Sequence, residues 1–213
     1  MKRHGFPLIL IVSGLLISAI AYPSLPEQFA IHWGPSGEVD GFANKSFGAF
    51  FMPLLLIGLY GLFLVLPHID PRKRNYDKFL SSYRITTIVT LSFLWLIHVL
   101  IVLYNAGVNI NIDMAVHMGV GALLIILGNY MPRFRHNFFV GIKTPWTLAS
   151  EKVWMKTHRV GGWVFIAMGI AIMATSLVEG IAAFILLLSI VLSGAAIVTV
   201  LSYLYYKEED LTQ

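Results

Sequence analysis

Between Ile181 and Tyr206 the chain runs 26 residues without a charged side chain. A helix of that length rises about 39 Å, more than the ~30 Å of hydrocarbon in a bilayer. Inside hydrocarbon every backbone N–H and C=O needs a partner within the protein, so such a run is a helix or it does not insert. Comparable runs recur along the chain and predict membrane helices near 6–22, 47–67, 85–106, 113–131, 160–178 and 181–206. No train of short alternating segments suggests a barrel. The fold class is therefore all-α, a polytopic helical membrane protein with six transmembrane helices. Composition agrees: 57% of residues are hydrophobic and 12% charged, where a soluble domain carries about 25% charged residues. With no cysteine, disulfides, thiolate metal sites and cysteine nucleophiles are excluded.

The connections sort by charge. Lys2 and Arg3, the 68–84 loop, the 132–159 loop and the tail at Lys207 hold 14 of the 15 basic residues, and the alternate loops hold only Lys45. The positive-inside rule then puts both termini in the cytoplasm of a multi-pass cell-membrane protein. Five units follow: a first hairpin (1–67) with an outer loop at 23–46, a basic inner loop (68–84), a second hairpin (85–131), an inner loop (132–159), and a last hairpin with tail (160–213). Lys2-Arg3, an apolar stretch and Ala19-Ile20-Ala21 also fit a cleaved signal peptide, but the run is long for one and an uncleaved first helix is expected.

Two regions carry polar chemistry on the outer side. The 23–46 loop is dense in turn residues, with Gly34-Pro35-Ser36-Gly37 and Asp40-Gly41, so it is expected to be compact. It serves either as a cap anchored by Trp33 or as a recognition surface using His32, Trp33, Gly37, Glu38, Asp40, Gly41 and Lys45. His32 and Asp40 alone are too few to hold a metal, and no cofactor is expected. Within the spans, His98 falls ~12 Å below the outer end of its helix, and His117 ~6 Å below its own, on one face with Asp113. Ionisable groups at such depth are costly. His98, Asp113 and His117 are read either as polar glue between helices or as an outward pocket for a ligand, a proton or a metal.

The inner loop contains GIKTPWTLASEKVWMKTHR, residues 141–159. Thr144-Pro145 is a helix start, with threonine as cap and proline in the first turn. A helix from there places Trp146, Ser150, Val153, Trp154 and Thr157 near one face and Lys152, Lys156 and Arg159 on another, the pattern of an interfacial helix. Lipid anchoring does not require the remaining detail: Gly128-Asn129, Asn137, Gly141, Lys143, Thr144, Pro145, Trp146, Thr147, Glu151, Trp154, Thr157, His158 and Arg159. That pattern resembles the signature of the SdpI-like immunity proteins, which are bacterial inner-membrane proteins. The outer-loop pattern L-P-x5-H-W-x3-G-x2-D-G-x3-K is similar to the N-terminal domain that many members carry.

The resemblance implies immunity and signalling. The founding member protects its producer from a secreted toxic peptide and holds a small repressor at the membrane. Carried over, the outer loop and pocket would meet a peptide toxin, and the inner signature residues would dock a cytoplasmic repressor. The residues themselves leave room for an alternative, a small transporter or lipid-handling protein using the buried histidines. Enzyme activity is not expected. Glu151 and His158 lie seven apart, and no serine-nucleophile or HExxH motif occurs. The basic residues are those that topology already accounts for, so membrane lipids rather than nucleic acid are the expected anionic partner.

Overall fold

The computed structural model describes residues 4–211; Lys2 and Arg3 lie outside the described residues. The elements are α1 (Gly5–Ala21), strands β1 (Gln28–Trp33) and β2 (Val39–Asn44), α2 (Lys45–Ile69), α3 (Leu80–Asn105), α4 (Ile112–Tyr130), the short α5 (Pro145–Ala149), α6 (Glu151–Thr175) and α7 (Ile181–Asp210). Among the described residues, six helices are long and apolar enough to cross a membrane. Large apolar side chains such as Ile9, Leu54 and Leu192 cover the outside of the bundle, where lipid rather than water is the neighbour.

Helices α1, α2 and α3 pack together, α6 packs against both α4 and α7, and α3–α4 joins the two groups. The seam between α1, α2 and α3 follows from two prolines. Pro53 and Pro67 both lie inside α2. Each lacks the N–H that would bond the carbonyl four residues back, which frees Ala49 O and Phe63 O. Both oxygens take a donor from a neighbouring helix. Ser18 Oγ of α1 donates to Ala49 O at 2.5 Å, and the Tyr83 hydroxyl of α3 donates to Phe63 O at 2.6 Å. A proline that would leave an orphan in hydrocarbon thereby becomes a cross-link.

Contact between α4 and α6 is closer still. A Cβ built on Gly128 would lie 2.6 Å from Gly162 O, and one on Gly162 would lie 2.7 Å from Gly128 O. The same exchange repeats two turns away, between Gly121 and Gly169, at 2.6 and 2.5 Å. Only hydrogen fits at these four positions, and the two backbones touch directly, as small residues permit in membrane helices.

The structure corrects three expectations. The outer loop is not merely compact: β1 and β2 form an antiparallel hairpin, so the fold is helical with one two-stranded sheet rather than all-α. The expected interfacial helix does not run from 145 to 159. It stops at Ala149, Ser150 caps a new helix by accepting from Val153 N–H at 3.3 Å, and residues 151–159 begin the fifth membrane helix. Helix α3 also starts before the expected 85, which brings Arg84 into its first turns.

Candidate functional site

At one end of the bundle the 70–76 and 134–149 loops are stitched into a clasp. Asp70 caps the end of α2 and is buried. One carboxylate oxygen accepts from Arg72 N–H at 2.7 Å, and the other accepts from the Tyr76 hydroxyl at 3.1 Å and Phe138 N–H at 2.9 Å. Burial and the Asp70 charge push the Tyr76 hydroxyl upward from its ordinary range, so it remains a donor. Asn75 donates to His136 O at 2.8 Å, and the Arg72 guanidinium lies 4.8 Å over the Phe138 ring. His136 places Nε2 3.2 Å from Leu148 O; burial first, then Arg72, lowers its pKa, which keeps it neutral and donating.

The next layer is the signature itself. Asn137 is fully buried and makes four bonds, donating to Arg135 O (2.8 Å) and Val140 O (2.9 Å) and accepting from Phe139 N–H (2.9 Å) and Val140 N–H (2.7 Å). One side chain thus closes a loop whose backbone would otherwise be unpaired. Gly141 follows at φ +124°, a conformation that favours glycine. A Cβ there would strike the His158 ring and come within 3.2 Å of Trp154.

His158 lies beneath it, stacked on Trp154 with ring centroids 4.0 Å apart. Its Nδ1–H donates to Trp154 O at 2.8 Å and its Nε2 accepts from Ile142 N–H at 3.0 Å, so both nitrogens are engaged. Trp154 Nε1–H donates to Phe134 O at 2.9 Å. Thr144 and Thr147 form a reciprocal capping box that starts α5 at Pro145. Thr144 Oγ1 also reaches Ser202 of α7 at 2.9 Å, and Trp146 packs against Tyr203 with centroids 5.2 Å apart. Lys156 pairs with Glu208 at 2.9 Å, and Ser150 donates to Glu209 at 2.5 Å.

This geometry changes what the signature residues can touch. Asn137, Thr144, Thr147, Trp154, Thr157 and His158 are buried, so none presents its side chain to an outside partner. Asn129, Lys143, Pro145, Glu151 and Arg159 are exposed, while Gly141 and Trp146 are half-buried. The expected lipid-facing tryptophan, Trp154, is the largest fully buried side chain. Asp70, Tyr76, Asn75, His136 and Ser202 are partners that sequence reasoning did not single out.

At the opposite end of the bundle, β1 is fastened by Asn105 at the end of α3. Its amide accepts from Ala30 N–H at 2.8 Å and donates to Ala30 O at 3.1 Å, as a further strand would. Phe29 is fully buried against Gly48, and Trp33 meets Tyr104 edge-on at 5.2 Å. His32 and Asp40 form an exposed cross-strand pair opposite Gly41. Lys45 lies 3.7 Å from Glu27 and over the Tyr22 ring. Gly37 turns the hairpin at φ +83°, and a Cβ there would meet the Asp113 side chain at 3.8 Å, so the hairpin tip lies over the start of α4.

The three intramembrane groups divide. Asp113 and His117 are paired on α4, 3.4 Å apart, with His117 Nδ1 also 2.8 Å from Asp113 O. His98 turns instead to α1: its Nε2–H lies 3.1 Å from Ser18 Oγ and 3.3 Å from Gly14 O. Ser18 passes a bond on to Ala49 O, so His98, Ser18 and the proline-freed carbonyl form one polar seam. Among the described residues, no group of three His, Asp or Glu side chains could hold a metal ion.

Residues 9–57 match a domain of unknown function (DUF1648), and residues 133–203 match the SdpI/YfhL protein family. The immunity protein SdpI of Bacillus subtilis (strain 168) is 30% identical over 208 residues, covering 98% of both chains. The chain belongs to the SdpI/YfhL family. No solved structure matches it. The DUF1648 match spans α1, the hairpin and the first half of α2, whereas the SdpI/YfhL match spans the 134–149 side of the clasp, α6 and most of α7. This SdpI/YfhL chain is thus a multi-pass membrane protein whose two matched regions lie in separate helix groups.

Proposed function

We infer that this chain is an immunity protein of the cell membrane that protects its host from a secreted toxic peptide, with both termini and the basic loops in the cytoplasm. The observation that carries the reading is the end-to-end similarity to an immunity protein, over 98% of both chains. The asymmetry of the basic residues supports the orientation. In that orientation the hairpin faces outside. It offers exposed Ile31 and Phe42 beside the exposed His32–Asp40 pair, a mixed apolar and charged surface suited to an amphipathic peptide. On the inner face, a cytoplasmic repressor would meet Lys143, Glu151, Arg159, Asn129 and Trp146, held in place by the buried signature residues.

Deleting the gene is expected to sensitise cells to peptide toxin secreted by sibling strains. Restoring the chain should restore survival, and the double variant His32→Ala/Phe42→Ala should not, at equal membrane abundance. Full protection by that variant would remove the hairpin from the recognition surface. In the same cells, Lys143→Glu/Arg159→Glu should release the repressor from the membrane fraction without loss of protection. A repressor that stays membrane-bound would exclude this face as its dock.

A further inference from the structure

A cavity of about 680 Å³ opens at the inner ends of α1, α2 and α3, beside the 71–79 loop. Its floor is apolar and aromatic, made by Tyr60 and Phe63 of α2 and Tyr83 and Ile88 of α3. Lys73, Arg74 and Arg84 stand at its mouth, with Asp77 the one acid among the lining residues. All three cations are exposed. Among the described residues they enter none of the ion pairs, which engage His32, Lys45, His117, Lys152 and Lys156 instead. The buried hydroxyls do not compete for a ligand, because Tyr83 donates to Phe63 O and Tyr76 to Asp70.

The depth matches the charge. Tyr60 lies two turns along α2 from His68, another lining residue, so the cavity reaches roughly 12 Å from the helix ends into the apolar layer. Its volume is about twenty times that of a water molecule and lies within the range of sites that hold small organic ligands. An inorganic anion would use the mouth and leave the floor unfilled. A neutral hydrocarbon would use the floor and leave three cations unpaired.

We propose that this cavity binds one anionic phospholipid, with its phosphate held by Lys73, Arg74 and Arg84 and an acyl chain lying against Tyr60, Phe63, Tyr83 and Ile88. Basic pockets between membrane helices are suited to such headgroups. Lipid binding here needs no toxin and so stands apart from the immunity reading, although Tyr76 lines the cavity and also bonds Asp70 in the clasp.

The test uses the full-length protein in mild detergent, with dioleoyl-phosphatidylglycerol, dioleoyl-phosphatidylcholine or inorganic phosphate added, read by native mass spectrometry and thermal unfolding. One phosphatidylglycerol should remain bound and raise the melting temperature, and neither of the other two should do so. Arg74→Gln/Arg84→Gln should weaken that adduct by about tenfold or more while the apo melting temperature stays near wild type. Ile88→Trp, which fills the floor and leaves every charge in place, should weaken it as well. Equal retention of phosphatidylcholine would overturn the proposal. Stabilisation by phosphate alone, or full binding by Ile88→Trp, would overturn it too and reduce the site to a surface anion site.

Discussion

Replacing Gly128 or Gly162 by alanine is expected to destabilise the protein by about 1–3 kcal/mol, and replacing Gly128 by leucine to abolish the folded form. The reason is the reciprocal contact with each partner's carbonyl oxygen at 2.6–2.7 Å, a distance that a Cβ does not tolerate. Backbone cannot rotate away as a side chain can, so α4 and α6 must separate. Separation would open the second glycine contact at Gly121 and Gly169 and loosen α7, since α6 packs between α4 and α7. Without water in the bilayer, close packing of this kind is a main source of helix association. Gly58 and Gly61 of α2 provide the control, because a Cβ at either meets nothing within 4 Å. Alanine there should be neutral or stabilising by up to about 1 kcal/mol, from helix propensity alone. Thermal unfolding of the four alanine variants in one detergent decides the matter. Gly128→Ala as stable as Gly58→Ala would remove the close crossing.

Asn137→Ala is expected to cost about 3–5 kcal/mol, because it strips partners from Phe139 and Val140 N–H and from Arg135 and Val140 C=O together. Asn137→Asp separates the two halves of that effect. It keeps both acceptances but turns two donations into a carboxylate facing carbonyl oxygens, so it should be nearly as harmful. The consequences reach beyond the loop. Gly141, His158 and the start of α6 are stacked on the 137–142 segment, and Phe138 N–H ties the same segment to Asp70. Limited proteolysis at the clasp and the melting temperature should both report the loss. A melting temperature unchanged in Asn137→Ala would show that the clasp does not depend on its central side chain.

The membrane helices were legible because hydrophobic length is a local property, and each expected span overlaps a helix of α1–α4, α6 or α7. What was not legible depends on partners distant in sequence. Glu151 to Arg159 carries four charges, which reads as an interfacial surface. In the structure Lys152 and Lys156 reach Glu209 and Glu208 at the end of α7, beside the first turns of α6. The hairpin was missed because Gln28–Trp33 shows no clean alternation of buried and exposed residues, a consequence of irregular pairing around Ala30 and His32. Its second edge is supplied by the Asn105 side chain, 75 residues away. Helical spacing gave the depth of His98 but not the direction it faces, so its turn toward Ser18 and α1 could not be read.

Asp70 was hidden among the basic residues of its loop, and its value rests on Phe138, 68 residues on. The signature posed the opposite difficulty. Trp154, Thr157 and His158 stand out in the sequence as more specific than a membrane surface requires, and such specificity reads there as exposure to a partner. Burial gives it another cause: each of these side chains fits one internal position.

The proposed function gives opposite tasks to opposite faces, the hairpin outside and the clasp inside, and sidedness is its most direct test. The chain has no cysteine, so single cysteines report without further engineering. Ser36 at the hairpin tip and Ala149 in the clasp are both exposed. A membrane-impermeant maleimide should label Ser36→Cys in intact cells and Ala149→Cys only after permeabilisation. Labelling of Ala149→Cys in intact cells, with Ser36→Cys protected, would invert the topology and contradict the assignment of both faces.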